Sequence, residues 1–466
     1  MFVGFDYGSA NCAIGMIKND QIHLLPLTEK SPYLSSTLYA YHRDLICEAV
    51  YQNLPEPLKL DYAKSRALQL AKSKIIRREL DLRDNEPAVF FGEEALNAYL
   101  DMPEEGFYVR SPKSFLGATG LRKEQIALFE DIVTLMMQHI KSTAELALVK
   151  TALKSESNQI SYAVIGRPVN FQGLASEDSN RQAEQILTTA AKRANFKEVS
   201  FLFEPLAAAM DFETQLEEDK TVLVVDVGGG TTDCSMVKMG PSYRYKNQRE
   251  EDFLSHSGQR IGGNDLDIAL AMTGFMPSMG LKSTLNTGKP IPSKPFWNAV
   301  AVNDLSAQKE FAALETKKLI EDLIRDANQP KQLLRLLKVQ QHQLGYELVR
   351  NAENAKILLT DNAEIHVELS FIEKELLASI DTSLFALATD SALAKVQSLM
   401  QEAVLKAKVQ PNMIYVTGGT AKSPAVYNKI AEVFPNCPII MGDNFGSVTA
   451  GLTHWAQKHY SNKLDK

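Results

Sequence analysis

Asp226, Gly228, Gly229, Gly230 and Thr231 crowd into one short stretch of the run T-V-L-V-V-D-V-G-G-G-T-T-D, residues 221–233. Three adjacent glycines put no side chain between the backbone N–H groups and whatever lies over them. Such a turn can wrap an anion in main-chain donors. Asp226 suits a hydrated divalent cation, and Thr231 adds a hydroxyl to the same rim. Anion cradle, carboxylate and hydroxyl are together the parts of a metal–triphosphate site. For this stretch alone, a glycine-rich hairpin with Asp226 as a plain turn residue competes with that reading.

The chain, however, carries the pattern twice. Residues 2–15 read F-V-G-F-D-Y-G-S-A-N-C-A-I-G, and laid on the first run they bring Asp6 onto Asp226, Gly8 onto Gly228 and Ser9 onto Gly229. In both copies an apolar run stops near the carboxylate and a second apolar run follows, at 13–17 and 234–237. Two strand–Asp-x-Gly–strand units predict two lobes of similar plan whose turns face one another across a cleft.

The elements needed to carry these turns are written in the rest of the chain. At 466 residues it exceeds one core and predicts two domains or more. Residues 2–27 read as a hairpin set with a turn at Asn19-Asp20, and 48–83 as helix broken at Leu54-Pro55, with a basic stretch at 72–78 on a solvated face. A loop over 101–120 precedes a helix over about 122–150 with a stripe through Ile126, Phe129, Ile132 and Met136. Strands at 160–165 and 199–203 flank a helix at 181–195, and Pro205 opens a helix over 206–212. After the glycine turn, G-Q-R-I-G-G-N-D-L-D at 258–267 leads through a second Gly-Gly turn into a helix. An exposed loop is expected over 274–296, then two helices over about 306–327 and 331–359, a strand at 364–369 and a long helix to Lys408. Glu353, Lys356 and Thr360 are spaced to share one face of the second helix. A strand at 413–417, a Gly418-Gly419 turn, a helix from Pro424, a strand at 439–441 and a last helix close the chain. Strands alternating with long helices predict an α/β architecture.

Composition excludes several classes. Apolar residues make up 45% and charged residues 23%, and the net charge of −7 gives no electrostatic reason to expect nucleic acid or an anionic membrane as partner. The four cysteines are scattered with no CxxC pair, against a disulfide frame or zinc site. No apolar run reaches the ~18 residues of a membrane span and the N-terminus lacks a basic leader, so a cytoplasmic protein is expected.

Together these motifs resemble the actin-like ATPase superfamily, and within it the nucleotide-binding domain of DnaK-type heat-shock chaperones. V-V-D-V-G-G-G-T-T-D is similar to the family's second phosphate motif and V-G-F-D-Y-G-S-A-N to its first. F-E-P-L-A-A-A-M, I-G-G-N-D-L-D and Y-V-T-G-G-T-A-K-S-P follow in family order. The chain also resembles the YegD group, bacterial chaperone-like proteins of little beyond this domain. The resemblance implies a two-lobed α/β fold of duplicated ribonuclease H-like lobes with a nucleotide cleft between them. Lobe I would take 1–219 plus about 438–466, and lobe II 220–437 with a helical subdomain at about 265–360. No peptide-holding domain is expected after Lys408, so the segments around 48–85 and 306–359 are the candidates for whatever replaces it.

The resemblance further implies ATP and Mg2+ as cofactors and slow ATP hydrolysis driving a two-lobe switch. Lys113 falls on the lysine that places the attacking water, Glu204 on the glutamate near the metal, and Asp6 and Asp226 on the magnesium carboxylates. Thr231 falls beside the γ-phosphate. Gly8, Ser9, Ala10, Asn11, Gly228, Gly229, Gly230, Gly262 and Gly263 match the phosphate turns. Glu353, Lys356, Thr360, Gly418, Gly419 and Lys422 match the adenosine side. Three departures stand out: Ala10 lacks a hydroxyl, Lys422 replaces an arginine against the adenine, and Ile357 replaces a second one, so adenine binding weaker than in a full chaperone is expected. Partners would be ATP or ADP and an unidentified protein. A non-hydrolysing nucleotide-gated binding or reactivation factor, a small-molecule kinase of the superfamily and a filament former remain alternatives.

Overall fold

A computed structural model describes residues 1–102, 105–150, 158–171, 177–244, 246, 249–442 and 446–464. Its two main sheets share one plan. In the first, Phe2–Tyr7 pairs antiparallel with Asn11–Lys18, which pairs antiparallel with Gln21–Leu24; on its other side Phe2–Tyr7 runs parallel to Tyr162–Arg167, and that strand to Glu198–Phe203. In the second, Lys220–Val227 pairs antiparallel with Thr232–Met239, which pairs with Phe253–Gln259, while Met413–Thr417 and Ile439–Met441 follow in parallel. The registers coincide as well. Asp6 lies opposite Ala13 and Tyr7 opposite Cys12, as Asp226 lies opposite Asp233 and Val227 opposite Thr232. Both carboxylates are therefore the penultimate residues of equivalent central strands.

These strands form because their sequences are apolar on both faces, as a sheet covered on both sides requires. Val222, Leu223, Val224 and Val225 are fully buried, and so are Val3, Phe5 and Tyr7. Helices Lys123–Lys150 and Glu177–Arg193 cover the first sheet; Thr382–Ala407 and Pro424–Val433 cover the second. Two further helices tie the sheets together. Glu204–Glu213 leaves the first sheet and packs on the second, whereas Gly446–Leu464 leaves the second and packs on the first strand of the chain. They cross at Gly451, where a Cβ would sit 1.8 Å from the Ala207 carbonyl oxygen, a contact only glycine allows.

Two smaller units flank this centre. Thr37–Ala40 sits between Val89–Phe91 and Phe107–Arg110 in a three-stranded sheet carrying helix Gly92–Asp101 and the helices Leu45–Gln52, Glu56–Ser65 and Ala67–Glu79. The other is helical, from Gly263–Leu270 to Gly345–Leu358, with the hairpin Glu364–Glu368/Leu377–Asp381.

Several sequence expectations are corrected. The loop over 101–120, of which residues 103 and 104 lie outside the described residues, contains the strand Phe107–Arg110 and a 3-10 turn Pro112–Phe115. The flanking glycines and prolines concealed four residues stabilised by pairing with Thr37–Ala40. Residues 274–296 are an exposed loop only in part, over 286–290 and 292–293: short helical turns bury Phe275, Met276 and Met279, and helix Lys294–Val300 buries Phe296. The two helices over 306–359 are four, broken at Ala313, which is extended, and around Gln343, whose φ is +49°. The long helix to Lys408 starts only at Thr382, after the strand Leu377–Asp381. Within 72–78, Arg77 is buried against Glu48 rather than solvated (2.9 Å). Among the described residues no helix is long and apolar enough to cross a membrane.

Candidate active site

The hairpin turns that follow Asp6 and Asp226 meet each other. A Cβ on Gly229 would lie 2.8 Å from the Ala10 Cβ, and one on Gly230 would lie 3.1 Å from Ser9 Oγ and 3.0 Å from Ser114 Oγ. The second turn is fixed from behind. Gly228 N–H donates to the Thr231 carbonyl (2.9 Å), and the Gly228 and Gly229 carbonyls accept from the N–H groups of Gly263 (2.9 Å) and Asn264 (2.8 Å). A Cβ on Gly262 would come within 2.6 Å of the Gly228 oxygen, so the second Gly-Gly turn serves as close backing for the first. Thr420 N–H donates to the Val227 carbonyl (3.1 Å). Gly418 (φ +95°) leaves space for the Asp226 carboxylate, which a Cβ there would approach to 2.5 Å.

Between the turns lies a cavity of about 70 Å³. Asp6, Gly8, Ser9, Ala10 and Asn11 line it from one side; Asp226, Gly228, Gly229 and Thr231 line it from the other. Glu204, Gly418 and Gly419 complete the set brought together. Two lining residues, Tyr33 and Val448, were missed by sequence reasoning, because nothing local marks them: each reaches the cavity from an element distant in the chain. The enclosed volume is below the ~300 Å³ lower range of ligand pockets, which accords with turns that part to admit a nucleotide.

Lys113 is buried one step behind, its ammonium paired with Glu204. Burial would lower its pKa, but Glu204 and Asp6 outweigh that and hold it above the usual lysine value. Around this one ammonium stand four carboxylates, Glu204, Asp226 and Asp233 buried and Asp6 half-buried. Burial, then Glu204, pushes Asp6 up to about 7 against the pull of Lys113. Burial, Glu204 and Asp233 raise Asp226 well above the ordinary carboxylate range. Asp233, which accepts a hydrogen bond from Val169 N–H (2.9 Å), is pushed up to about 7 by burial and Glu204. Arg167 also acts on Glu204 and Asp233, so two cations face four carboxylates and the cluster stays short of positive charge. Among the described residues no three His, Cys, Asp or Glu side chains converge as a direct ligand shell. Asp6, Asp226 and Glu204, which line one cavity, are hard oxygen donors of the kind that could orient the waters of a hydrated divalent cation.

The residues expected on the adenosine side are placed differently from one another. Lys356 Nζ pairs with Asp267 (2.7 Å) and would lie 3.4 Å from a Cβ on Gly263, so it stands beside the backing turn. Glu353 is engaged by Arg110 Nη2 (2.6 Å) from the three-stranded unit. Thr360 is not on the helical face: the helix ends at Leu358, and Thr360 is exposed in the turn beyond it. Lys422 is exposed, and neither it, Glu353, Lys356, Thr360, Gly230, Gly262 nor Gly263 lines the cavity in this closed arrangement.

With the geometry in place, the comparison with known families is specific. Residues 122–272 match the family model described as Hsp70 protein, about a third of the chain. The matched segment runs from helix Lys123–Lys150 to helix Gly263–Leu270 and includes Glu204, Asp226, the three glycines, Thr231, Gly262 and Gly263.

Proposed function

Starting from a chain of the Hsp70/DnaK type, chaperone-like and ATP-binding in class, we propose that it is a slow, magnesium-dependent ATP hydrolase whose two halves open and close around the nucleotide. The observation that carries this is the pairing of topologically equivalent Asp6 and Asp226 turns on one cavity, with the buried Lys113–Glu204 ion pair beside it. The halves would divide as 1–219 plus about 438–466 and 220–437, with the crossed helices Glu204–Glu213 and Gly446–Leu464 as the joint.

In this reading the glycine turns bind the polyphosphate through main-chain donors. Asp6, Asp226 and Glu204 would hold a magnesium ion through its waters, and the ion, when bound, would supply charge neutralisation on the phosphate oxygens. Lys113, held by Glu204, keeps a positive charge where negative charge accumulates during phosphoryl transfer. The Thr231 hydroxyl stands at the rim beside the transferred group. Glu353, Lys356, Gly418, Gly419, Thr360 and Lys422 would contact the nucleoside only once the turns separate.

Lys113→Ala should still bind ATP but lose turnover by about 100-fold or more. Single-turnover hydrolysis alongside a binding titration checks this, and unaltered turnover refutes the assignment of Lys113.

A further inference from the structure

Arg167 closes the strand Tyr162–Arg167 and lines no part of the Asp6–Asp226 cavity. Its side chain is half-buried and held from several directions. Nε donates to the Pro168 carbonyl (3.1 Å), Nη2 donates to the Val169 carbonyl (3.2 Å), and Nη1 pairs with Glu184 of helix Glu177–Arg193. The guanidinium also lies over the Phe203 ring at 4.9 Å and the Phe171 ring at 5.6 Å. Only a rigid fork of donors can hold two successive carbonyls and a carboxylate at once; a lysine ammonium cannot.

What these bonds fix is a single peptide group. The Pro168 carbonyl and the Val169 N–H belong to one planar unit, so orienting the first orients the second. That N–H donates to Asp233 Oδ1 (2.9 Å). Val169 follows a strand of the first sheet, whereas Asp233 belongs to Thr232–Met239 of the second, so the bond joins the two sheets. Cation, peptide and carboxylate are linked in sequence, and each polarises the next. Asp233 passes the constraint on to the cavity. It lies opposite Asp226 in the strand ladder, and the Thr231 hydroxyl hydrogen-bonds to its carboxylate. Thr231 lines the cavity. A carboxylate that accepts its proton restricts a hydroxyl that would otherwise sample other staggered positions.

We propose that Arg167 is a positioning residue for phosphoryl transfer: through the Pro168–Val169 peptide it fixes Asp233, and through Asp233 it aligns the Thr231 hydroxyl at the rim of the cavity. The inference rests on the proposed ATP hydrolysis and adds to it a residue that lies outside the cavity. Arg167 touches no reacting atom in this role. Because the Val169–Asp233 bond joins the sheets, parting them there would release Asp233, so the alignment of Thr231 belongs to the closed arrangement.

The test measures single-turnover hydrolysis of magnesium-ATP and, separately, the affinity for ATP, both in the full chain. Arg167→Met should lower the single-turnover rate about tenfold to a hundredfold while ATP affinity stays within about twofold, because the bonds removed align a group rather than hold the nucleotide. Arg167→Lys keeps the charge without the fork, so it should recover no more than about threefold of that loss. Asp233→Asn should be slow as well. Combined with Arg167→Met it should be no slower than the slower single variant, to within about threefold, since both act on one path. An unchanged rate in Arg167→Met, full recovery by lysine, losses that multiply in the double variant, or an equal loss of ATP affinity overturns the inference. If Arg167→Met does not fold, Arg167→Lys and its combination with Asp233→Asn carry the same test. A wild-type chain that binds ATP without hydrolysing it refutes the proposed function and this inference together. Hydrolysis that depends on Lys113 but not on Arg167 refutes this inference alone.

Discussion

The acidic cluster should make the metal-free protein lose stability as pH rises, and magnesium should restore it. Asp6 and Asp233 both sit near 7 in the folded chain against an ordinary 3.8. The folded state therefore binds more protons than the unfolded state between those values, and unfolding free energy falls as pH climbs through that window. The stability these groups supply is complete below about 4 and is lost by the time pH has passed about 7. At 1.36 kcal/mol per tenfold change in proton affinity, each carboxylate taken alone would contribute up to about 4 kcal/mol. The two share neighbours, since Glu204 acts on both, so about 2–4 kcal/mol is expected for the cluster together. Magnesium binds the ionised form and takes over the role of the proton, adding stability at pH 7.5 and little at pH 5. Urea denaturation at both pH values, with EDTA and then with millimolar magnesium, measures all four quantities. Asp6→Asn removes one charge of the cluster, so it should stabilise the EDTA-treated protein at pH 7.5 and shrink the magnesium increment. A metal-free stability that rises from pH 5 to 7.5, or a magnesium increment that is equal at the two, would refute the reasoning.

Gly418→Ala should cost about 2 kcal/mol or more and lower Tm, because its φ of +95° disfavours a side chain and the new Cβ meets the Asp226 carboxylate at 2.5 Å. ATP binding should be micromolar or weaker, since the turns must first separate and Ala10 offers no hydroxyl; calorimetry giving low-nanomolar affinity would remove that expectation. ATP turnover should be indifferent to a panel of sugars and small acids; stimulation by one of them would favour the kinase alternative.

Much of the centre of the fold was legible, and the reason is local. The runs ending at Asp6 and Asp226 are apolar on both faces and stop at glycine turns, so strand, turn and carboxylate are all written within a dozen residues. The strand Phe253–Gln259 was not legible. Its polar Ser255, His256 and Ser257 break the apolar pattern, and it is held by the ladder to Thr232–Met239 with Ser257 Oγ donating to the Leu399 carbonyl (2.6 Å). Leu377–Asp381 likewise exposes Leu377 and exists because Glu364–Glu368 pairs with it. In the site, sequence spacing placed Glu353 and Lys356 correctly on one helix but ran past its end to Thr360. It also gave no sign that Arg110, far earlier in the chain, engages Glu353. Such a pairing is a property of the closed fold and has no local signature.

The exchange of closing helices between the sheets sets an order on biogenesis. The strand that begins at Phe2 receives its cover from Gly446–Leu464, a segment hundreds of residues further along the chain. Until that segment emerges, Val3, Phe5 and their neighbours have one face without its native lid, and a nascent chain in that condition is a target for aggregation. Cutting the chain at the boundary between its sheets would part each sheet from a helix that covers it.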